Sequence, residues 1–261
     1  MKVSKTIVDK RRDDIMKAIQ ENNFMSVGDL VDMFDVSPIT IRRDLQYWED
    51  KGAIERKYGG ASLLQAFIDE DVASYERNRY MKGIAKRAAL YVEEGDVIFV
   101  NSSTTALMII NYIKDKNVTI VTNNARAINY DPDPKVNVIF TGGEVRFPKK
   151  SITGDIALAN INNITADKCF IGCSGMNKNG VSTGYVKETM INRSMIQRTK
   201  GKRFLLCDHT KVGLSFSFDY SNYDDINYII TDNQADDEII NYIKDNHNLE
   251  IIKVDPITKS L

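Results

Sequence analysis

Two adjacent permanent cations, Arg42 and Arg43, sit inside Val36-Ser37-Pro38-Ile39-Thr40-Ile41-Arg42-Arg43-Asp44-Leu45, a stretch built to present charge outward. Ser37 is a good N-cap, and Pro38 falls at the first helical position, where its missing N–H costs nothing. Ile41, Leu45 and Trp48 recur at helical spacing and define one buried face. At about 100° per residue, Arg43 points away from that face; Ile39, Thr40, Gln46 and Tyr47 flank it and Arg42 lies at the shoulder. An arginine opposite the core, near the start of a capped helix, can reach base edges and phosphates in a major groove. The expected partner is double-stranded DNA.

The neighbouring elements are those needed to hold such a helix. Ile15, Ala18 and Ile19 give one amphipathic helix, and Ser26 starts another, with Asp29 as capping-box partner and Leu30, Val31 and Phe34 as its apolar side. The turn Asp35-Val36-Ser37 suits a helix-turn-helix, and Gly52 closes the recognition helix. Ala53 to Arg56 and the segment around Ala61-Ser62-Leu63 read as two short strands joined through Lys57-Tyr58-Gly59-Gly60. That hairpin forms a wing whose Arg56, Lys57 and Tyr58 are placed to touch DNA.

A second set of polar residues recurs further on, always after a short apolar run. Val97–Val100 leads into Asn101-Ser102-Ser103-Thr104-Thr105, and Val118–Thr122 into Asn123-Asn124. Val136–Phe140 leads into Thr141-Gly142-Gly143-Glu144, Cys169–Gly172 into Cys173-Ser174-Gly175, and Arg203–Cys207 into Asp208-His209-Thr210-Lys211. Hydroxyls and free N–H groups at a helix start suit a phosphate, and paired glycines let backbone approach a ligand. Such loops alone are common turns; together, at one edge of one sheet, they make a polar pocket.

Helices are expected between most of these strands, notably Tyr80–Val92, Thr105–Ile113, Glu188–Thr199 and Asp237–Asn246, with further strands at Tyr228–Thr231 and Leu249–Val254. The alternation predicts an α/β fold: a doubly wound, mainly parallel sheet following an N-terminal winged helix-turn-helix. In such sheets ligands bind beyond the carboxyl ends of the strands. The expected domains are a DNA-binding domain over 1–62, a linker over 63–75 and an α/β domain carrying the polar pocket over 76–261.

At 261 residues, 43% hydrophobic and 27% charged, the chain can bury a full core. Its formal net charge of −1 argues against non-specific coating of nucleic acid. Affinity must come from local placement of cations, which favours a homo-oligomer on paired half-sites. There is neither a signal-peptide pattern nor an apolar run of transmembrane length, so a cytoplasmic protein with no membrane partner is expected. Cys169 and Cys173, read as one strand, would stand roughly 13 Å apart, too far to share a metal. With Cys207 they are expected to be buried structural cysteines, and no cofactor or metal is expected.

The N-terminal stretch resembles the winged helix of the DeoR family of bacterial sugar-catabolism repressors. That family carries Val-Ser-x-x-Thr-[Ile/Val]-Arg-Arg-Asp-Leu, matched by Val36 to Leu45, and Gly-x-[Ile/Leu]-x-Arg-x-His-Gly-Gly-Ala, matched by Gly52 to Ala61 with Tyr58 in the His position. The C-terminal region is similar to the family's effector domain, whose fold resembles ribose-5-phosphate isomerase. The family's Asp-x-Gly-[Ser/Thr]-Thr loop reads Asn101-Ser102-Ser103-Thr104-Thr105 here; Thr122-Asn123, Gly142-Gly143 and Asp208, Thr210, Lys211 and Gly213 match further motifs, and Lys82 stands where the family has a lysine.

The resemblance implies a repressor of a carbohydrate-catabolism operon controlled by a phosphorylated sugar. Its phosphate would sit on Ser103, Thr104 and Thr105 with Lys211, its hydroxyls on Asn101 and Asp208. Lys82, Ser102, Asn123, Gly142, Gly143, Ser174 and Gly175 would complete the site. The competing class is a sugar-phosphate isomerase-type enzyme. It would need a carboxylate base next to the reacting carbon, and the first loop holds none.

Overall fold

A computed structural model describes residues 5–22, 24–50, 54–57, 59–63 and 74–257. The chain divides into two compact units, Met1–Glu76 and Arg77–Leu261. Residues 64–73, most of the expected linker, lie outside the described residues, and a helix begins inside its end at Ser74.

The first unit is built from helices α1 (Lys5–Asn22), α2 (Val27–Phe34) and α3 (Pro38–Asp50) and strands β1 (Phe24–Ser26), β2 (Ile54–Lys57) and β3 (Gly60–Leu63). Ser26 caps α2 in the expected capping box, its side chain accepting from the Asp29 N–H while the Asp29 carboxylate accepts from the Ser26 N–H. Asp35 turns the chain in a left-handed conformation, φ 48°, between α2 and α3. Ile15, Ile19, Leu30, Ile41, Leu45 and Ile54 form the fully buried core, with Trp48 packed against it. Gly52 lies outside the described residues.

The sheet is antiparallel with order β1-β3-β2, so the wing carries a third strand that the sequence reading missed. Three residues are too few to show an alternating pattern. Pairing with β1 explains Gly60, where a Cβ would meet the Met25 carbonyl oxygen at 2.3 Å.

The second unit holds seven parallel strands: β4 (Val97–Val100), β5 (Val118–Thr122), β6 (Val136–Phe140), β9 (Lys168–Ile171), β12 (Arg203–Leu206), β14 (Tyr228–Asp232) and β15 (Glu250–Val254). Their spatial order is β15-β14-β12-β9-β4-β5-β6. Chain direction through the sheet reverses between β4 and β9, which opens a crevice beyond their carboxyl ends.

Alternate strand residues feed two cores. Phe99, Cys169, Ile171 and Leu205 pack with helices α6 (Asp155–Asn162), α7 (Val186–Gln197) and α8 (Asp237–Asn246). Ile98, Val100, Phe170 and Phe204 pack on the other face with α4 (Ser74–Ala89) and α5 (Thr104–Leu107). Burial on both faces is what a parallel sheet demands.

Two departures matter for the site. The helix expected over Thr105–Ile113 is a single α-turn followed by a 3-10 helix, Met108–Tyr112. The sequence reading also lacked α6, the hairpin of β7 (Glu144–Arg146) with β8 (Ser151–Thr153), and the small sheet of β10 (Gly175–Asn177), β11 (Gly180–Thr183) and β13 (Phe218–Ser221). Each of these strands is three or four residues long and interleaves polar residues with at most two large apolar ones, so no apolar run stands out.

Candidate functional sites

On α3 the Ser37 hydroxyl accepts from the Thr40 N–H at 3.3 Å and shares a 2.9 Å hydrogen bond with the Thr40 hydroxyl, closing the helix start. Arg42, Arg43 and Gln46 are exposed, and Ile39 is 75% exposed, so all four stand on the outer surface. Tyr47 is half-buried, edge-on to Trp48 and under the Arg12 guanidinium, 4.0 Å from its ring. Arg56 is exposed on β2; the Lys57 side chain and Tyr58 lie outside the described residues.

A clamp behind this surface went unnoticed in the sequence. Asp44 is 1% exposed and accepts from Arg11 Nε at 2.7 Å and Arg12 Nε at 2.9 Å, while Trp48 Nε1 donates to the Arg12 carbonyl at 2.9 Å. The signal was present: Asp44 falls between Ile41 and Trp48 on the buried face, where a carboxylate requires a cation. The clamp ties α1 to α3 and so fixes how Arg43 is presented.

In the second unit, many of the predicted residues meet at the strand ends, several of them in holding rather than open roles. Asn101, 2% exposed, donates to the Gly172 carbonyl at 2.9 Å and to Asn192 Oδ1 at 3.1 Å. Its Oδ1 accepts from the Gly172 N–H at 2.9 Å and the Ser103 N–H at 3.2 Å. All four hydrogen-bonding positions of the amide are filled, so Asn101 braces the β4 loop to the β9 loop rather than waiting for a sugar hydroxyl. Ser103 caps α5, accepting from the Ala106 N–H at 3.3 Å, and Thr104 Oγ1 accepts from Arg126 at 2.9 Å. Ser102 and Thr105 are buried.

Asn123 is fully buried, donating to the Ile152 carbonyl at 3.0 Å, while its Oδ1 has no hydrogen-bond partner. Thr141 Oγ1 and Ser151 Oγ, near the end of β6 and at the start of β8, are likewise buried and unpartnered. Gly142 and Gly143 take φ of 68° and 117°. A Cβ on Gly143 would stand 2.6 Å from the Thr153 carbonyl, and one on Gly175 2.6 Å from the Leu214 carbonyl. Those two glycines thus serve close backbone packing. Ser174 Oγ donates to Thr183 Oγ1 at 3.5 Å.

The loop after β12 is the most constrained. Asp208, 1% exposed, caps a 3-10 turn, His209–Lys211, and accepts from Arg77 Nε at 3.2 Å and Nη2 at 3.0 Å, and from the Thr210 N–H and hydroxyl. Burial alone would push this carboxyl up, but the Arg77 guanidinium and the Thr210 hydroxyl hold it below the usual carboxylate range. His209 is tied by its N–H and ring to Asp232 at 2.8 and 3.0 Å. Asp208 is therefore a loop-fixing ion pair. Arg77, not the exposed Lys82, is the α4 residue brought to it; the two lie about 140° apart round the helix.

Lys211 is different. Its half-buried ammonium makes no hydrogen bond and no ion pair among the described residues. Burial pushes it below the ordinary lysine range, and the neighbouring charges of Arg77 and Lys149 push it the same way. Gly172 abuts Ser103, where an added Cβ would stand 2.1 Å from Oγ, and the next residue, Cys173, stands electrostatically close to Lys211.

Cys173 corrects an expectation, for it lies beyond β9 and is half-buried, not a buried strand residue. The β9–β12 register, Arg203↔Cys169 to Leu205↔Ile171, continues to place it opposite Cys207, whose thiol donates to Met176 Sδ at 3.1 Å. Burial pushes the Cys169 thiol up to about 12.

A winged helix with outward arginines, followed by a parallel sheet with a cationic crevice, is the architecture of a DNA-binding regulator with a sensor domain. Residues 11–67 match the DeoR-like helix-turn-helix domain and residues 78–233 the DeoR C-terminal sensor domain. The chain belongs to the DeoR family, and it is a DNA-binding transcriptional regulator rather than an isomerase.

It is similar to the HTH-type transcriptional regulator GolR of Listeria innocua, 31% identical over 90% of this chain and 95% of that protein. The HTH-type transcriptional regulator IolR of Bacillus subtilis is 29% identical over 89% of this chain and 94% of that one. The lactose phosphotransferase system repressor of Staphylococcus aureus is 26% identical over 88% and 94%. Ribose 5-phosphate isomerase A of Methanocaldococcus jannaschii superposes at TM-score 0.37 and 14% identity over 52% of this chain and 55% of that one, too loosely to carry an argument. Among the described residues no helix is long and apolar enough to cross a membrane.

Proposed function

We propose that this chain represses an operon for carbohydrate use and that a phosphorylated sugar, bound at the strand-end crevice, controls it. The reading rests chiefly on Lys211, a half-buried cation that makes no hydrogen bond or ion pair among the described residues, at the edge of the sheet where ligands of such folds bind. An anion there regains for the ammonium what burial removed. The Ser103–Thr105 turn faces the phosphate from the β4 side, with Ser102, Asn123, Gly142 and Ser174 lining the remainder. Asn101, Gly143, Gly175 and Asp208 hold the loops in place. The name of the staphylococcal lactose repressor supports the carbohydrate assignment.

On the DNA side, Arg42, Arg43, Ile39 and Gln46 read the major groove, Ser37 and Thr40 contact the backbone beside it, Tyr47 supports them, and Arg56, Lys57 and Tyr58 form the wing contact. A single winged helix makes few phosphate contacts, so the working species is a homo-oligomer on paired half-sites. The ligand acts by favouring the arrangement that does not fit the operator.

The test is anisotropy of labelled DNA from upstream of the chain's own gene, titrated in the presence of hexose and pentose phosphates. One sugar phosphate is expected to weaken binding roughly 5–150-fold. Lys211→Ala should keep DNA binding and lose that response. If no sugar phosphate changes DNA affinity, or the variant responds like the parent, the effector reading is overturned.

A further inference from the structure

The residues first expected to hold sugar hydroxyls, Asn101 and Asp208, have their polar atoms engaged by the protein. One other carboxylate at this crevice has capacity left. Glu188, in the first turn of α7, is 2% exposed, and its Oε1 accepts no hydrogen bond, with Arg146 standing 3.5 Å away as an ion-pair neighbour.

Its placement follows from three independent contacts. Oε2 accepts from Lys149 Nζ at 2.9 Å, and Lys149 acts electrostatically on Lys211. Oε2 also accepts from Thr183 Oγ1 at 3.2 Å, whose oxygen in turn accepts from Ser174, just beyond β9. One turn further along the same face of α7, Asn192 Oδ1 accepts from Asn101, just beyond β4. The Glu188 face of α7 therefore covers the crevice between β4 and β9, the position where the strand order reverses.

We propose that Glu188 is the specificity-determining residue of the effector site, its Oε1 accepting a hydrogen bond from a hydroxyl of the ligand. This rests on the crevice being the effector site. A cation that makes no hydrogen bond or ion pair among the described residues, at the same crevice as a carboxylate oxygen that accepts no hydrogen bond, selects a molecule carrying both an anionic group and a hydroxyl donor. Inorganic phosphate offers only its own P–O–H, with no hydroxyl held on a carbon frame away from the anionic group. The site rejects a ligand lacking the hydroxyl because the carboxylate oxygen is then left buried without a partner. Lys149 and Arg146 pair with Glu188 and hold it in place, so the β7–β8 hairpin is part of the recognition apparatus.

Calorimetric titration of the full chain with glucose 6-phosphate, galactose 6-phosphate, fructose 6-phosphate, ribose 5-phosphate and inorganic phosphate tests this. The parent protein should prefer one sugar phosphate over inorganic phosphate by roughly a hundredfold. Glu188→Gln, which removes the charge, and Glu188→Asp, which withdraws the oxygens by one methylene, should each cut that ratio at least tenfold. A carboxylate that merely tethers Lys149 would change both affinities together and leave the ratio alone. A variant that melts and binds operator like the parent, yet keeps the ratio within about threefold, overturns the proposal.

Should neither variant fold, single-deoxy analogues of the preferred sugar phosphate on the parent protein decide. At least one should bind tenfold more weakly, and a series all within threefold overturns the proposal. A parent that binds no sugar phosphate better than inorganic phosphate removes the effector reading itself, and this inference with it.

Discussion

The two functional regions use polar groups in opposite ways. On α3 the residues assigned to DNA stand outside the core, and the described buried polar side chains of that unit are Asp44 and Ser62. At the strand-end crevice Asn101, Ser102, Thr105, Asn123, Glu188, Asn192 and Asp208 are all buried, and most are bonded to one another or to backbone. A helix offers a ready surface, so a DNA reader needs only a capped helix and an apolar face behind it. A pocket made from loops that are distant in sequence must first be held open. Most of its polar residues do that work, and few remain to touch a ligand.

The largest effects should come from breaking each scaffold. Leu45→Ala removes a fully buried side chain behind Arg43 and should destabilise the first unit by about 2–5 kcal/mol in denaturant unfolding. Gly172→Ala is the crevice counterpart. Its Cβ would fall 2.5 Å from Ser103 Cβ and 3.0 Å from the Leu206 carbonyl, forcing apart the loops that Asn101 joins. We expect a loss of about 1–3 kcal/mol and of any effector response. Equal responsiveness in parent and variant would mean that the crevice is not the site.

Asp44→Asn sharpens the contrast, because it alters a buried polar residue in the unit that has few. Arg11 and Arg12 then lose a carboxylate they hold at 2.7 and 2.9 Å, and both remain partly solvated, so the cost should be about 2 kcal/mol. Operator affinity should fall further than stability predicts if the clamp sets the pose of α3. Wild-type affinity in a folded Asp44→Asn protein would show that it does not.

The same contrast explains what was legible in the sequence. Cap, turn and helix of the DNA reader lie within a few residues of one another, so Ser37, Pro38, Arg43 and Leu45 could be placed from local chemistry alone. The seven strands of the parallel sheet were found to within a residue or two, since short runs dominated by apolar residues and bounded by turns are a strong signal. Arg77, Lys149, Glu188 and Asn192 were not found. Their pairings, Arg77 to Asp208 for one, span up to 131 positions, and no local pattern encodes such a partnership. For the same reason Asn101 and Asp208 looked like ligand contacts: sequence shows a polar residue at a strand end but not whether its hydrogen bonds are already made.

Arg43→Ala tests the exposed side of the comparison. Arg43 is exposed and opposite Ile41 and Leu45, so its loss should leave unfolding unchanged. Operator affinity should drop by about 1–3 kcal/mol if the guanidinium meets a base edge. Unchanged affinity would mean that another face of α3 enters the groove.

The smallest effect isolates Lys211, which makes no hydrogen bond or ion pair among the described residues. Lys211 sits below the ordinary lysine range because burial and the Arg77 charge disfavour its proton by more than the Asp208 carboxylate favours it. Between that lowered value and the ordinary one, the unfolded chain binds more protons than the folded one, so this residue makes stability rise with pH. An anionic effector does the reverse, because it favours the charged ammonium and so binds more weakly as pH rises through the lowered value. A sugar phosphate is already fully ionised above about pH 8, so a decline in affinity there belongs to the protein. We expect up to about tenfold, roughly 1.4 kcal/mol, before ordinary lysines titrate. Lys211→Arg keeps its charge throughout and should flatten both slopes. A parent whose effector affinity holds constant to the ordinary lysine range would place the anion away from Lys211.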